Sequence, residues 1–243
     1  MTDGLLLLHA WPLDARMWEP QRSALGDLPV AAPDHPGFGG SPPSGDITTM
    51  GACAERALAA LEDAGIERAV VCGLSMGGYV AFELWRRAPE RISGLVLANT
   101  RAVADTPEAA AARHALAVRL RREGNVLADE PPALLAEDAP AELRERVRTL
   151  IADQTPEAIA AASLGMAERP DSTPDLPGID VPTLVVTSTG DRLIPPEVSS
   201  AMAAQIPGAR LEVLERVGHL TNLEAPEAFN RMLLEHLAAC GVA

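Results

Sequence analysis

The sequence predicts an α/β fold in which a mostly parallel sheet carries helices on both faces and an inserted helical cap. Three observations lead to this prediction: short unbroken apolar runs, helical patterns between them, and one long stretch without such a run. Unbroken apolar runs are typical of parallel strands that are buried on both faces. Strands that alternate with helices imply right-handed crossovers within one open sheet.

Six short apolar runs are the candidate strands, and helical patterns fill most of the gaps between them. The runs cover residues 4–9, 29–33, 69–74, 92–98, 183–188 and 210–214. The helical patterns cover residues 50–64, 76–87, 196–205 and 226–239. The last two of these helices begin with a proline, a residue that the first helical turn accommodates well.

One region departs from this alternation. Residues 101–178 form Ala-, Glu- and Arg-rich helical sequence, with helix starts predicted after Thr106 and Thr155 because threonine is a favoured N-cap. We therefore divide the chain into a core of residues 1–100 and 179–243 and a helical insertion. The insertion is either a long crossover or a cap, and its length favours a cap over the active face.

The composition describes an acidic globular chain. It has 243 residues, 47% of them hydrophobic, and a formal net charge of −14 in which every cationic side chain is an arginine. An acidic surface repels phosphates and anionic lipid head groups, so we expect neither nucleic acid nor membrane as a partner.

The cysteines and the N-terminus bear on cellular location and cofactors. Cys53, Cys72 and Cys240 match no zinc or CxxC spacing, so we expect free thiols and a cytoplasmic protein. The N-terminus has no basic region typical of a signal peptide. Since there is no metal-ligand cluster, dinucleotide fingerprint or P-loop lysine, we expect no metal and no cofactor.

Residues 73–78 read Gly-Leu-Ser-Met-Gly-Gly and follow the third apolar run. In a G-x-S-x-G turn the glycines allow a sharp strand-to-helix turn that exposes the serine. At this helix N-terminus the dipole and free N–H groups favour developing negative charge. The alternative is a glycine-rich turn with an incidental serine, but the position between strand and helix favours Ser75 as a nucleophile.

A nucleophilic serine needs a histidine to accept its proton and a carboxylate to orient that histidine. Asp191 follows the fifth apolar run and His219 follows the sixth, which gives the order serine, acid, histidine expected for this turn. Asp34 is the rival acid, but it precedes Ser75 and could instead brace the loop of residues 34–41.

Together these segments resemble the α/β-hydrolase superfamily over nearly the whole chain. The markers are residues 8–14, residues 34–41, residues 73–78, Gly190-Asp191 and Gly218-His219. Within the superfamily, the chain resembles the group of 3-oxoadipate enol-lactonases, non-haem haloperoxidases and carboxylesterase-like enzymes. The resemblance implies an oxyanion hole made by the backbone N–H groups of Met76 and Trp11.

The chain departs from the superfamily pattern at two places. Ala10 stands where the superfamily usually has glycine, and alanine would be strained there if the position needs a positive φ. The first strands are apparently missing, which would leave the strand near residues 30–32 at an edge, flanked by Pro29 and Pro33. Either the sheet simply has fewer strands than is usual in the superfamily, or a partner chain covers this edge, for example in a homodimer.

The leading functional hypothesis is a serine hydrolase that cleaves a carboxylic ester, lactone or thioester through an acyl-serine. The alternative is a lyase or isomerase that uses the same triad for proton abstraction without an acyl-enzyme. A third possibility is a catalytically silent receptor. Asn99 and Arg101 are candidate substrate-binding residues, although Asn99 could instead satisfy loop backbone and Arg101 could form an exposed salt bridge.

Overall fold

Six parallel strands form one sheet in the computed structural model, which describes residues 2–242. The strands are β1 (Asp3–Leu8), β2 (Val30–Ala31), β3 (Arg68–Leu74), β4 (Ile92–Ala98), β5 (Thr183–Ser188) and β6 (Arg210–Leu214). Their order across the sheet is β2-β1-β3-β4-β5-β6, and every neighbouring pair is parallel. The predicted fold class is confirmed, and a strand lies within or overlaps each of the six predicted runs.

Helices cover the sheet and fill the crossovers. Around the sheet lie α1 (Glu19–Arg22), α2 (Met50–Asp63), α3 (Met76–Arg87), α7 (Pro196–Ala203), α8 (Thr221–Glu224) and α9 (Pro226–Ala239). Between β4 and β5 lie α4 (Pro107–Glu123), α5 (Ala141–Ala152) and α6 (Pro156–Ala167). Three short 3-10 helices span Ala15–Trp18, Pro89–Arg91 and Thr173–Gly178. No helix within residues 2–242 has the length and apolar character needed to cross a membrane.

The central strands are continuous apolar segments because helices cover both of their faces. Every residue of β4 is buried, and in β3 only Arg68 is partly exposed. The edge strand β6 is different, since none of its residues is fully buried. Burial thus explains why β3 and β4 read as unbroken apolar runs in the sequence.

β2 lies at the opposite edge and pairs only with β1, as predicted for a sheet without the first strands. It is only two residues long, shorter than the predicted run. Pro29 contributes its carbonyl oxygen to the Leu5 amide at 2.9 Å, but a proline has no N–H to donate. The prolines therefore shorten this edge strand. Whether a partner chain covers it stays a prediction.

Threonine caps begin two helices of the insertion, as the sequence predicts. The Thr106 and Thr155 hydroxyls accept hydrogen bonds from backbone amides in the first turns of α4 and α6. α6 packs against α4 on one side and approaches the core on the other. A Cβ at Gly165 would lie 1.8 Å from the Thr48 carbonyl oxygen, so only glycine allows this approach.

The end of one predicted helix differs from the structure by two residues. The helix predicted over residues 196–205 ends as α7 at Ala203. The Gln205 amide donates to Met202, three residues earlier, so the last turn tightens into 3-10 geometry. Differences of one or two residues are normal at helix ends.

Candidate active site

Ser75 occupies the turn between β3 and α3 in a conformation that few residues adopt. Its φ is 56° and its ψ is −113°. A Cβ at Gly73 would lie 2.3 Å from the Gly77 carbonyl oxygen, and a Cβ at Gly77 would lie 2.1 Å from the Leu8 carbonyl oxygen. The glycines of the motif are therefore required by close backbone approaches as well as by the turn itself.

Hydrogen bonds from the end of β4 hold the Ser75 backbone in place. The Ser75 amide donates to the Ala98 carbonyl oxygen at 2.9 Å. The Thr100 hydroxyl donates to the Ser75 carbonyl oxygen at 2.8 Å, and the Gly78 amide donates to the same oxygen at 2.9 Å. Strained backbone of this kind persists only where its surroundings fix it, and such sites cluster at active centres.

His219 and Asp191 form a buried pair at the carboxyl ends of β5 and β6. The His219 Nδ1 lies 2.7 Å from the Asp191 Oδ2, and both side chains are almost fully buried. The Asp191 Oδ1 accepts the amides of Leu193 at 2.9 Å and Ile194 at 3.0 Å. Because Nδ1 faces the carboxylate, Nε2 is the nitrogen left to accept a proton.

The electrostatics of Asp191 favour its ionised form. Burial raises the pKa of this carboxyl, but hydrogen bonds from His219, Ile194 and Asn99 and the attraction of His219 outweigh burial and hold the pKa below its usual range. Asp191 is therefore ionised at neutral pH and can stabilise a protonated imidazole.

A cavity of about 170 Å³ brings the predicted nucleophile and base together. It is lined by Trp11, Ser75, Tyr79, Arg101, Arg113, Pro132, Leu134, Met166, Leu193, Ile194 and His219. Five of these residues belong to the insertion. No hydrogen bond joins Ser75 to His219 within residues 2–242, and such bonds are often looser before substrate binds.

The structure places both candidate oxyanion donors beside the nucleophile turn. Met76 is the first residue of α3, so its N–H has no partner within the helix. Trp11 lines the cavity, and its indole Nε1 donates to the Ile159 carbonyl oxygen of α6 at 3.1 Å. Ala10 is fully buried and is not among the residues with positive φ, so the strain considered for it is absent. The assignment of Met76 and Trp11 as donors stays a prediction.

Three other titratable residues near strand ends, His9, His35 and Asp34, have structural roles. The His35 amide donates to the His9 Nε2 at 2.9 Å, and burial lowers the pKa of both histidines, which keeps the imidazoles neutral. The Asp34 carboxylate accepts the amides of Ala15 and Gly40, each at 2.9 Å. Asp34 therefore braces its loop and is not the partner of His219, which contacts Asp191.

Asn99 does not line the cavity, which corrects its prediction as a substrate-binding residue. Its side chain is completely buried, and its Nδ2 donates to the Asp191 Oδ2 at 3.0 Å and the Ser188 Oγ at 2.9 Å. Its Oδ1 accepts the Thr221 hydroxyl at 2.8 Å. A φ of 44°, which asparagine tolerates better than most residues, accompanies this inward orientation. Asn99 is thus a positioning residue for Asp191.

Two further positioning residues are absent from the sequence predictions. The Ser188 hydroxyl donates to the Gly218 carbonyl oxygen at 2.7 Å. The Glu224 carboxylate accepts the amides of Gly218 at 2.9 Å and Ala136 at 3.1 Å, and burial raises its pKa. Both residues hold the segment before His219. Only tertiary contacts reveal them, because neither lies in a motif.

Arg101 lies at the cavity, as predicted, and also forms the ion pair considered as its alternative. Its Nη2 is 3.3 Å from the Asp105 Oδ1. Arg113, on α4, lines the same cavity and was not singled out from the sequence. Within residues 2–242 no group of three or more His, Cys, Asp or Glu side chains is arranged to hold a metal ion.

Comparisons with known proteins agree with the observed fold. The model of a family described as the alpha/beta hydrolase family matches residues 5–232. A pimeloyl-[acyl-carrier protein] methyl ester esterase from Aromatoleum aromaticum is 32% identical, over 92% of this chain and 93% of the relative.

Two solved structures cover nearly the whole chain. A thermophilic esterase from Thermogutta terrifontis, solved with malate bound, is 41% identical with a TM-score of 0.93 over 99% of this chain and 92% of that one. The enol-lactonase from Burkholderia xenovorans LB400 is 30% identical with a TM-score of 0.86 over 98% and 92%. The chain belongs to the alpha/beta hydrolase family.

Proposed function

We propose that this protein is a serine hydrolase that cleaves a carboxylic ester, lactone or thioester through an acyl-serine intermediate. The observation that carries the proposal is the arrangement around one cavity. Ser75 is held at a strained turn, His219 lines the same cavity, and the buried carboxylate of Asp191 orients the imidazole. The names of the relatives, two esterases and an enol-lactonase, support an ester-type bond as the target.

In the first half-reaction, His219 Nε2 accepts the proton of the Ser75 hydroxyl while Oγ attacks the carbonyl carbon. The carbonyl oxygen becomes an oxyanion that accepts hydrogen bonds from the backbone N–H groups of Met76 and Trp11. The bond to the leaving oxygen or sulfur then breaks, and His219 returns the proton to the leaving group. The acyl-serine remains.

In the second half-reaction, water takes the place of the serine hydroxyl. His219 accepts a proton from the water as its oxygen attacks the acyl carbon, and the bond to Ser75 Oγ breaks as the proton is returned to it. Asp191 stabilises the imidazolium in both halves and is not itself protonated, in keeping with its lowered pKa. The products are a carboxylic acid and the free enzyme.

The test compares wild type with Ser75→Ala, and with Ser23→Ala as a matched control at an exposed serine. We expect a fluorophosphonate probe to label wild type and Ser23→Ala but not Ser75→Ala. Turnover of p-nitrophenyl esters and simple lactones should fall by on the order of 10⁴ or more in Ser75→Ala. Equal labelling and equal activity of all three proteins would falsify the proposal. Labelling without turnover of any ester or lactone would favour the lyase.

We further propose that the enzyme acts in the cytoplasm on small molecules. Its three cysteines are free, and burial raises the pKa of Cys53 to about 12. A homodimer that covers the β2 edge stays a prediction. Size-exclusion chromatography tests it, since a clean monomer at micromolar concentration would exclude the covered edge.

A further inference from the structure

Three arginine side chains surround one buried carboxylate beside the cavity of Ser75. The Asp105 side chain is 0% exposed, and it lies 2.5 Å from Arg113 Nε, 2.9 Å from Arg169 Nη1 and 3.3 Å from Arg101 Nη2. Burial raises the pKa of Asp105, but Arg113 and Arg169 outweigh burial and hold it below its usual range. The cluster therefore has three positive charges and one negative charge, an excess of two positive charges.

Arg169 is engaged by the protein through both of its terminal nitrogens, and within residues 2–242 only its buried Nε has no hydrogen-bond partner. Its Nη1 donates to the Met166 carbonyl oxygen at 2.7 Å and its Nη2 to the Val103 carbonyl oxygen at 2.9 Å. Its guanidinium lies over the Tyr79 ring, 4.1 Å from the ring centre. The side chain is only 3% exposed and does not line the cavity. Arg169 thus offsets the negative charge of Asp105 and supports the cavity wall from behind.

Arg101 and Arg113 are different, because both line the cavity. Within residues 2–242 the Arg101 Nε has no hydrogen-bond partner. Within the described part of the chain, Arg113 uses only Nε, and its Nη1 and Nη2 form no hydrogen bond with the protein. The Arg113 Nη1 and Nη2 are charged donors at the cavity wall without a protein partner among the described residues, so a ligand that accepts hydrogen bonds from them would be favoured.

The charge of the cavity wall points to an anionic ligand. No acidic side chain lines the cavity, although the chain as a whole has a formal net charge of −14. A guanidinium group offers a planar fork of donors that matches a carboxylate in two parallel hydrogen bonds. Because Ser75 shares the cavity, an anion bound by Arg101 and Arg113 would be part of the substrate that reacts.

The size of the cavity limits the length of that substrate. Its volume of about 170 Å³ is below the roughly 300–1,000 Å³ typical of pockets for drug-sized ligands. A short acyl chain fits this space better than a long one.

We propose that Arg101 and Arg113 select esters or lactones whose short acyl part ends in a second, ionised carboxylate, such as monoesters of small dicarboxylic acids. This inference rests on the proposed serine hydrolase activity and assigns the substrate class of the same site. The two guanidinium groups bind the distant carboxylate and thereby place the ester carbonyl at Ser75. They take no part in the covalent steps.

The experiment compares two esters of the same length. One is monomethyl glutarate, which carries a carboxylate at neutral pH, and the other is the neutral methyl ester of glutaric acid monoamide. Hydrolysis is followed by pH-stat titration. We expect wild type to prefer the anionic ester in kcat/KM by about tenfold to a hundredfold, the range typical of charge-assisted hydrogen bonds.

Arg101→Gln and Arg113→Gln are tested separately, with Arg119→Gln as the matched control. Arg119 lies on the same helix as Arg113 but pairs with Glu123 and Glu130 on the surface. Each cavity variant should lower the preference toward unity, mainly through a lower kcat/KM for the anionic ester. The control should keep the full preference. Thermal melts show which variants fold.

A measurement on wild type alone covers the case in which neither cavity variant folds. Glutarate should competitively inhibit hydrolysis of the neutral ester, and the uncharged diamide of glutaric acid should inhibit at least tenfold more weakly. Equal kcat/KM for the two esters, with hydrolysis that depends on Ser75, would overturn the inference and leave the serine hydrolase intact. Activity that survives in Ser75→Ala would overturn the proposed mechanism instead.

Discussion

The core wall of the cavity and the insertion wall, each taken together with the residues that support it, differ in how completely their polar groups are paired. On the core side, Asn99 uses both its amide nitrogen and its oxygen in contacts with Asp191, Ser188 and Thr221. On the insertion side, Arg101 has a buried nitrogen without a partner. Satisfied networks fix a geometry, whereas unsatisfied donors favour a ligand. In the function that we propose, the core wall holds the reacting groups and the insertion wall selects the substrate.

The change with the largest expected effect removes the charge on the core wall. Asp191→Asn preserves size but cannot stabilise a protonated His219, so kcat should fall by on the order of 10³–10⁴ with little change in KM. Steady-state kinetics on a neutral ester measure this. Asp63→Asn, at an exposed carboxylate on α2, serves as the control. A loss below tenfold would show that Asp191 does not orient the base.

A second change separates positioning from substrate binding on the same wall. Asn99→Gly accepts the positive φ but removes both hydrogen bonds from Nδ2 and the acceptor for Thr221. We expect kcat to fall about tenfold, KM to stay within twofold and the protein to lose about 1–3 kcal/mol of unfolding free energy. Urea unfolding and steady-state kinetics check these effects. A large rise in KM with unchanged kcat would return Asn99 to the substrate-binding residues.

Acid should lower the stability of both sides of the site. The residues that support each wall include a carboxyl group whose pKa is lowered in the folded protein. Asp191 and Asp105 have lowered pKa values, so the stability that they contribute is present above their unfolded pKa. Since the unfolded pKa of aspartate is about 3.9, this stability is complete above about pH 5 and is lost as the pH falls through the folded values.

Urea titrations at pH 7, 4 and 3 would measure the acid effect. The midpoint should stay nearly constant down to about pH 5 and fall below about pH 4. The contribution of Asp191 is tested with Asp191→Asn, which should show a weaker pH dependence than wild type. An identical dependence in the variant would assign the acid transition to other carboxylates.

The smallest expected effect concerns the contact between the two walls. Trp11→Phe keeps an aromatic side chain at the cavity but removes the hydrogen bond to the Ile159 carbonyl oxygen. We expect a loss of about 0.5–1.5 kcal/mol in unfolding free energy, which differential scanning calorimetry can detect. The backbone N–H of residue 11 is retained, so kcat should change by less than threefold. A larger fall in kcat would mean that the indole also places the oxyanion donor.

The sequence predicts much of the fold because its signals are local. Apolar runs mark the buried strands β3 and β4, and threonine caps mark the starts of α4 and α6. The predicted run at β2 is too long, because paired length at an edge depends on a neighbour and on which amides can donate.

The residues of the site likewise divide into those that a local sequence motif marks and those that only tertiary contacts identify. Ser75, Asp191 and His219 are found from a turn motif and chain order, and the structure brings the last two into contact. Arg113 is not found, because an arginine within Ala- and Arg-rich helical sequence reads as a solvated surface residue. The role of Asn99 depends on three partners far apart in the chain, and no pattern in one sequence reports such contacts.

The close contact between Gly165 and Thr48 bears on how substrate enters and product leaves. Because α6 touches the core with no space for even a methyl group, and Thr48 also donates to the Ala161 carbonyl oxygen at 3.0 Å, we expect this helix to stay seated during turnover. Pro132 and Leu134 line both the cavity of Ser75 and an adjoining cavity of about 390 Å³. We therefore expect substrate to enter and product to leave on the side of these two residues and not past α6.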